Sequence, residues 1–336
     1  MYHSRFIGTH FEAGYKWGKN IFEKKGIITE QHTFKITEER KEFAKKCIPI
    51  YKKYYPEILE EIKGIAEGQK ILYEDLYTFL LSMYCFEFDN KCTCFAVRKD
   101  KKIIFGRNSD FIIELEHLYD SCYYKIKNSY SFIGNTTAFT EIEDGINEYG
   151  LSAGLTFVYP KIRKPGLNSG FLIRYILEKC KTVKEAIMKL KKVPIASAQV
   201  ITLADKAGNM VVIECNPKKI KIIYPEKNKN FVVSTNNFYS LEMKEFRNPK
   251  ELDDWQSDER YKTVYIALLE NENNCSFEFV KDLLSGKYGF ICQYNRKKGA
   301  DTVWSSIYIL DENKIYRAEG NPLRKEYKED RRLKFI

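Results

Sequence analysis

The run Cys92-Thr93-Cys94-Phe95-Ala96-Val97 stands where the character of this 336-residue chain changes. After the polar Arg98-Lys99-Asp100-Lys101-Lys102 comes Ile103-Ile104-Phe105-Gly106-Arg107-Asn108-Ser109-Asp110-Phe111. β-Branched and aromatic residues on both sides of a charged turn predict a hairpin. Upstream, residues 1–91 read as mainly helical. Phe11, Tyr15, Ile21 and Phe22 fit helical spacing between Phe11 and Lys24. Thr37 followed by Glu38 and Glu39 offers an N-cap with acids in the first turn. Phe43, Cys47, Ile50, Tyr51 and Tyr54 continue to a kink or break at Pro56, and Ile58, Ile62 and Ile65 resume the pattern. Tyr73–Phe88 is a third apolar segment, stopped by Asp89-Asn90-Lys91.

Downstream, strands are predicted at 122–126, 151–159, 200–203, 210–214, 220–224 and 231–234. Helices are predicted at 171–180 and 183–190, then at 258–269 and 278–284, and strands at 302–310 and 314–318 close the chain. Strands alternating with helix pairs predict an α+β fold of antiparallel sheets covered by helices, with the helical N-terminal third packed on it.

Hydrophobic residues make up 44% and charged residues 30%, which permits a sizeable core and excludes a disordered chain. The net charge of +10 comes from lysine runs such as Lys189, Lys191 and Lys192 that are broken by acids or apolar residues. A solvated lysine surface explains it better than a nucleic-acid site. The nine cysteines are an odd, scattered set without disulfide or zinc-finger spacing. No stretch reaches the roughly 18 apolar residues of a membrane span, and Met1–Arg5 has no apolar signal core. A cytoplasmic protein with free thiols is expected.

Histidine is nearly absent: His3, His10, His32 and His117 are the whole set, and none sits as a general base or at ligand spacing. A nucleophile here therefore needs another base. A free α-amine titrates near about 7.7–8.0, so a Cys heading a mature chain carries its own. The switch from helix to strand at Lys91-Cys92-Thr93 places a thiol there. Cys94 shares a strand face with Cys92 and competes with it by geometry.

Cys92-Thr93 with Gly106-Arg107-Asn108-Ser109-Asp110 some fifteen residues on resembles the opening hairpin of the choloylglycine hydrolase and penicillin acyltransferase group of N-terminal-nucleophile hydrolases. The similarity continues through Asn147-Glu148-Tyr149-Gly150-Leu151, Ser234-Thr235-Asn236, Arg260-Tyr261, Thr302-Val303-Trp304-Ser305 and Glu319-Gly320-Asn321-Pro322. Gly14-Tyr15-Lys16-Trp17-Gly18 and the roughly 90 residues before Cys92 resemble the acyltransferase-like branch, whose precursors cut themselves.

The resemblance implies an αββα sandwich over residues 92–336 and a pro-segment over 1–91. It implies Cys92 as nucleophile, Asp110 orienting its α-amine and Arg107 beside the thiol. Asn236 would give a side-chain N–H to the oxyanion, with Asn237 as the alternative by position. Arg260 would be a second cation, against the plainer reading of a solvated helix arginine. Thr156 falls where relatives place Asn or Tyr beside the oxyanion, and only its backbone N–H would serve. Asn147 and Glu148 look structural. No metal or organic cofactor is required, the partner is a small-molecule amide or acyl substrate, and a cut chain would remain a non-covalent pair. Self-cutting relatives often carry Gly before the Cys; Lys91 here leaves open slow cleavage, upstream trimming or none. Competing expectations are an acyltransferase using thioester donors and amine acceptors, and an uncleaved binding protein on the same fold.

Overall fold

The computed structural model describes residues 1–28, 35–86, 91–249, 251–271 and 274–333. Strand β1 (Arg5–Gly8) leads into helix α1 (His10–Glu23), which opens on a capping box. Thr9 Oγ1 accepts from Glu12 N at 3.2 Å, and Glu12 Oε2 accepts from Thr9 N at 2.8 Å. Helix α2 (Glu38–Tyr54) carries the expected cap, Thr37 Oγ1 accepting from Arg40 N. Pro56 does not kink a helix but starts a new one, α3 (Pro56–Gln69), at a position where its missing N–H costs nothing. Helix α4 (Tyr73–Ser82) is shorter than the expected 73–88; Met83–Phe86 turn away, and 87–90 lie outside the described residues. Helices α1 and α3 cross at backbone contact. A Cβ on Gly14 would lie 2.3 Å from Glu61 O, and one on Gly64 2.2 Å from Phe11 O. The Gly-Tyr-x-x-Gly segment is therefore a close helix crossing.

The predicted hairpin is β2 (Lys91–Lys99) and β3 (Lys102–Ile112). There follow β4 (Asp120–Ile126), β5 (Phe132–Thr136), β6 (Asp144–Asn147), β7 (Leu151–Phe157), α5 (Ser169–Lys179) and α6 (Val183–Leu190). Then come β8 (Gln199–Asp205), β9 (Met210–Cys215), β10 (Ile220–Ile223), β11 (Phe231–Ser234), α7 (Ser257–Glu270) and α8 (Phe277–Leu284). Strands β12 (Ala300–Ile309), β13 (Lys314–Ala318) and β14 (Lys328–Glu329) finish the chain.

The strands form an eight-stranded sheet, β1-β4-β5-β6-β7-β8-β9-β10, and a six-stranded sheet, β11-β2-β3-β12-β13-β14. Their inner faces meet through Cys94, Ala96 and Phe105 on one side and Ile133, Val200 and Val212 on the other. Helices α5 and α6, with the N-terminal helices, share an apolar layer with the first sheet. Helices α7 and α8 cover the second. The result is the expected α+β arrangement of two sheets between helix layers. One pairing departs from the all-antiparallel expectation: β1, inside the N-terminal segment read as mainly helical, pairs parallel with β4. That segment is also pinned by buried charge. Arg174 of α5 binds Glu61 of α3 and Glu178, while His10 lies 3.0 Å from Glu61. These two carboxylates, working against the cost of burial, raise the His10 pKa to about 9.

Glu141 is fully buried, neither carboxylate oxygen has a hydrogen-bond partner of good geometry among the described residues, and burial raises its pKa well above the usual value against the pull of Asn168. A raised folded pKa means that its stabilising contribution is complete below pH ~4.5 and lost as pH rises. Glu141→Gln is expected to raise the denaturant midpoint at pH 8 by the equivalent of about 1–3 kcal/mol and to change little at pH 4. Urea unfolding at the two pH values checks this, and an equal effect at both would contradict it.

Candidate active site

A two-residue turn, Asp100–Lys101, with Asp100 at φ +54°, fixes the hairpin register. Cys94 stands opposite Arg107, Cys92 opposite Ser109 and Lys91 opposite Asp110. Directly opposed residues share a face and neighbours alternate. The register therefore sends Cys92, Cys94, Arg107 and Ser109 into the space between the sheets. Asp110, Asn108 and Thr93 go to the α7/α8 side.

On the inner face, Arg107 Nη2 donates to Cys92 Sγ at 2.8 Å. The same guanidinium donates to Glu143 Oε2 at 3.2 Å, Asp144 Oδ1 at 3.0 Å and Leu155 O at 3.1 Å. On the outer face, Arg260 is fully buried, which settles the choice against a solvated helix arginine. Its Nη1 donates to Cys92 O at 2.6 Å and Thr93 Oγ1 at 3.0 Å, and lies 3.8 Å from Asp110 Oδ2. Asp110 accepts from Thr302 Oγ1 at 2.6 Å and Tyr294 Oη at 3.1 Å. Burial raises its pKa to about 6 against the pull of Arg260.

Asn236 follows β11. Its Oδ1 accepts from Cys92 N at 2.7 Å and from Arg260 Nη2 at 3.1 Å, and its Nδ2 donates to Phe157 O at 2.8 Å. Two N–H donors on one end and a carbonyl on the other fix the amide orientation. The atom beside the Cys92 nitrogen is thus an Asn236 oxygen. One of the two N–H bonds of the amide expected at an oxyanion is engaged by Phe157 O. Asn237 turns away, its Oδ1 accepting from Phe238 N and Asn248 N. Thr156 lies between Leu155, whose carbonyl holds Arg107, and Phe157, whose carbonyl holds Asn236; its hydroxyl donates to Val200 O at 3.4 Å.

Cys92 is fully buried. Burial raises its thiol pKa far above the ordinary range, Arg107 and Arg260 pull it down, and Glu143 and Asp110 push it up. Cys94 packs where a Cβ on Gly154 would meet its Sγ at 2.8 Å, and burial lifts its pKa to about 12. Lys91 is in β2, and its ammonium lies 5.8 Å from the Trp255 ring centroid. Asn147 is structural as expected, its Nδ2 donating to Leu177 O and Cys180 O.

Sequence reasoning missed Glu143 and Asp144, both fully buried. Asp144 also accepts from Trp304 Nε1 at 3.0 Å and Asn135 Nδ2 at 3.0 Å. The available signal was Glu141-Ile142-Glu143-Asp144-Gly145, acids interleaved with a large apolar residue ahead of a strand.

Two of the solved structures that the chain resembles, both at low identity, are an acylase and a hydrolase. Penicillin V acylase from Agrobacterium tumefaciens matches with 13% identity over 73% of this chain and 87% of that one, at a TM-score of 0.52. A variant of conjugated bile acid hydrolase from Clostridium perfringens matches with 14% identity over 71% and 92%, at 0.51. At such identity the likeness establishes the fold, that of the N-terminal-nucleophile hydrolases. The sequence model of acyl-coenzyme A:6-aminopenicillanic acid acyl-transferase matches residues 97–324, taking in Arg107, Asp110, Thr156, Asn236 and Arg260 and beginning just after Cys92. This chain belongs to the acyl-coenzyme A:6-aminopenicillanic acid acyl-transferase family.

Proposed function

We propose that the chain is a thiol N-terminal-nucleophile enzyme that cleaves or transfers acyl groups at linear, non-peptide amide bonds through an acyl-enzyme on Cys92, after a cut between Lys91 and Cys92. One observation carries this: the thiol, nitrogen and carbonyl oxygen of Cys92 are held by Arg107, Asn236 and Arg260 respectively. A structural cysteine has no need of such a grip.

In the first stage the Cys92 thiol adds to the Lys91 carbonyl carbon. The C–N bond breaks as the nitrogen takes a proton, leaving a thioester that water hydrolyses to the Lys91 carboxylate and the free Cys92 amine and thiol. In the second stage the amine takes the thiol proton and the sulfur attacks the substrate carbonyl. The leaving amine departs with that proton, and water or a second amine releases the acyl group. Charge explains why the cut matters. Two buried guanidiniums, Arg107 and Arg260, face three buried carboxyls, Glu143, Asp144 and Asp110. A thiolate would raise the excess of anions from one to two in an uncut chain, whereas an ammonium at Cys92 offsets it. Asn236 Oδ1 then orients the amine, a task that the resemblance gives to Asp110. Asp110, held by Thr302 and Tyr294, places Arg260 against the Cys92 carbonyl.

The two fragments stay together through β1 on β4 and the Arg174 cluster. An odd set of nine thiols suits a reducing, cytoplasmic setting. Asn236→Ala, which removes the acceptor that orients the Cys92 amine, is expected to slow turnover by about 10², the scale of loss when a reacting group is misplaced; single-turnover rates on fully cut protein check it. The function itself is tested by incubating cut protein with N-acyl amides, with and without an added amine, and analysing products and protein mass. The expected result is an acyl adduct on Cys92 and amide exchange when amine is present. Turnover that survives in Cys92→Ala would overturn it.

A further inference from the structure

We infer that Tyr84 is a positioning residue of the Cys92 site, so that the segment before the cut completes the site and is not merely a removable plug. This rests on the reading of Cys92 as nucleophile. Tyr84 lies eight residues before Cys92, in the turn after α4. It is 1% exposed and holds φ at +59°, a left-handed conformation rare for a bulky residue and kept only where surrounding contacts impose it.

Its hydroxyl donates to Glu143 Oε1 at 3.2 Å. The other oxygen of Glu143 accepts from Arg107 Nη2 at 3.2 Å and from Ser109 Oγ at 3.2 Å. That same Nη2 is the atom 2.8 Å from Cys92 Sγ. One guanidinium nitrogen is thus shared between the nucleophile and a carboxylate whose charge Tyr84 partly satisfies. Thr137 also donates to Glu143 Oε1, through its N at 2.9 Å and through its hydroxyl, but Thr137 belongs to the core and Tyr84 to the N-terminal segment. The Tyr84 ring packs toward Phe157, centroids 6.2 Å apart, and the Phe157 carbonyl anchors Asn236. It is also packed against Gly170, where a Cβ would come within 3.1 Å of its Cε2. Burial and the nearby carboxylates keep its phenol protonated and so a donor.

The physical consequence has a sign. Removing the Tyr84 hydroxyl concentrates negative charge on Glu143, which draws Nη2 toward itself and away from sulfur, and the Cys92 thiol pKa rises. Neutralising Glu143 does the opposite, leaving the guanidinium to the sulfur. If Tyr84 acts only through Glu143, its removal has no further effect once Glu143 is neutral.

The test uses the cut two-fragment protein. Iodoacetamide alkylation of Cys92 is followed by peptide mass across pH for wild type, Tyr84→Phe, Glu143→Gln and the double variant, beside kcat/KM and size exclusion. Tyr84→Phe should move the thiol titration up by about half a unit to one unit and lower kcat/KM near neutrality about 3- to 10-fold. Glu143→Gln should move it down, and the double variant should match Glu143→Gln. A thiol titration unmoved in Tyr84→Phe with the fragment retained overturns the inference. If Tyr84→Phe releases the fragment, Glu143→Gln alone decides, and failure to shift downward overturns it. Absence of Cys92-dependent turnover in wild type is a separate outcome, which sinks the nucleophile reading on which the inference rests.

Discussion

Arg107→Ala is expected to destabilise the protein by about 3–5 kcal/mol, the cost of removing one partner from a buried ion cluster. The magnitude follows from what remains. Glu143 and Asp144 are fully buried, and Arg107 is the cation bonded to both, at 3.2 and 3.0 Å. The substitution also leaves Leu155 O and Cys92 Sγ without this donor. Domains are generally stable by only about 5–15 kcal/mol, so the loss is a large fraction of the whole. Arg107→Lys restores charge but not the fork: a single ammonium cannot reach a thiol, a backbone carbonyl and two carboxylates at once. It should recover part of the stability and little activity. Denaturant midpoints for the three proteins check this; a loss under about 1 kcal/mol for Arg107→Ala would mean that the carboxylates are satisfied by other groups.

Cys92→Ala is expected to remove catalysis by a factor on the order of 10⁴ or more, as losing a nucleophile does in enzymes whose site acts as a unit. The fold should survive, because Asn236 and Arg260 hold the backbone of residue 92, not its side chain. Unchanged circular dichroism with lost turnover would separate this from the Arg107 result. Cys94→Ala is the matching control: its thiol is buried against Gly154 and should be dispensable for turnover. If Cys94→Ala lost turnover and Cys92→Ala kept it, the nucleophile would have been assigned one residue pair too early.

The hairpin was readable in sequence because its parts are local. A two-residue turn converts the spacing of Cys92, Arg107 and Asp110 into fixed register, and no distant residue can alter it. The helices of the N-terminal segment were readable for the same reason: their caps and apolar spacing lie within each element. What escaped depends on distant partners. Strand β1 is four residues long, and its pairing with β4 spans more than a hundred residues. Strands β5 and β6 carry Gly134, Asn135, Asp144 and Gly145, which break the apolar alternation because two of them serve the Asp144 cluster. Arg260 sits beside Asp258, Glu259 and Lys262, so its helix looks solvated although its guanidinium is buried against Cys92. Glu143 and Asp144 resemble a charged loop until Arg107 is seen between them.

The intact mass of freshly purified protein under denaturing conditions, with N-terminal sequencing of each species, tests the central claim most directly. By share of the 39.6 kDa chain, a cut before Cys92 gives fragments of roughly 11 and 29 kDa. The account predicts both, with Cys92 heading the larger one, and a single uncut chain for Cys92→Ala. A wild-type chain that stays whole while it turns over amides, or one cut at another bond, would contradict it.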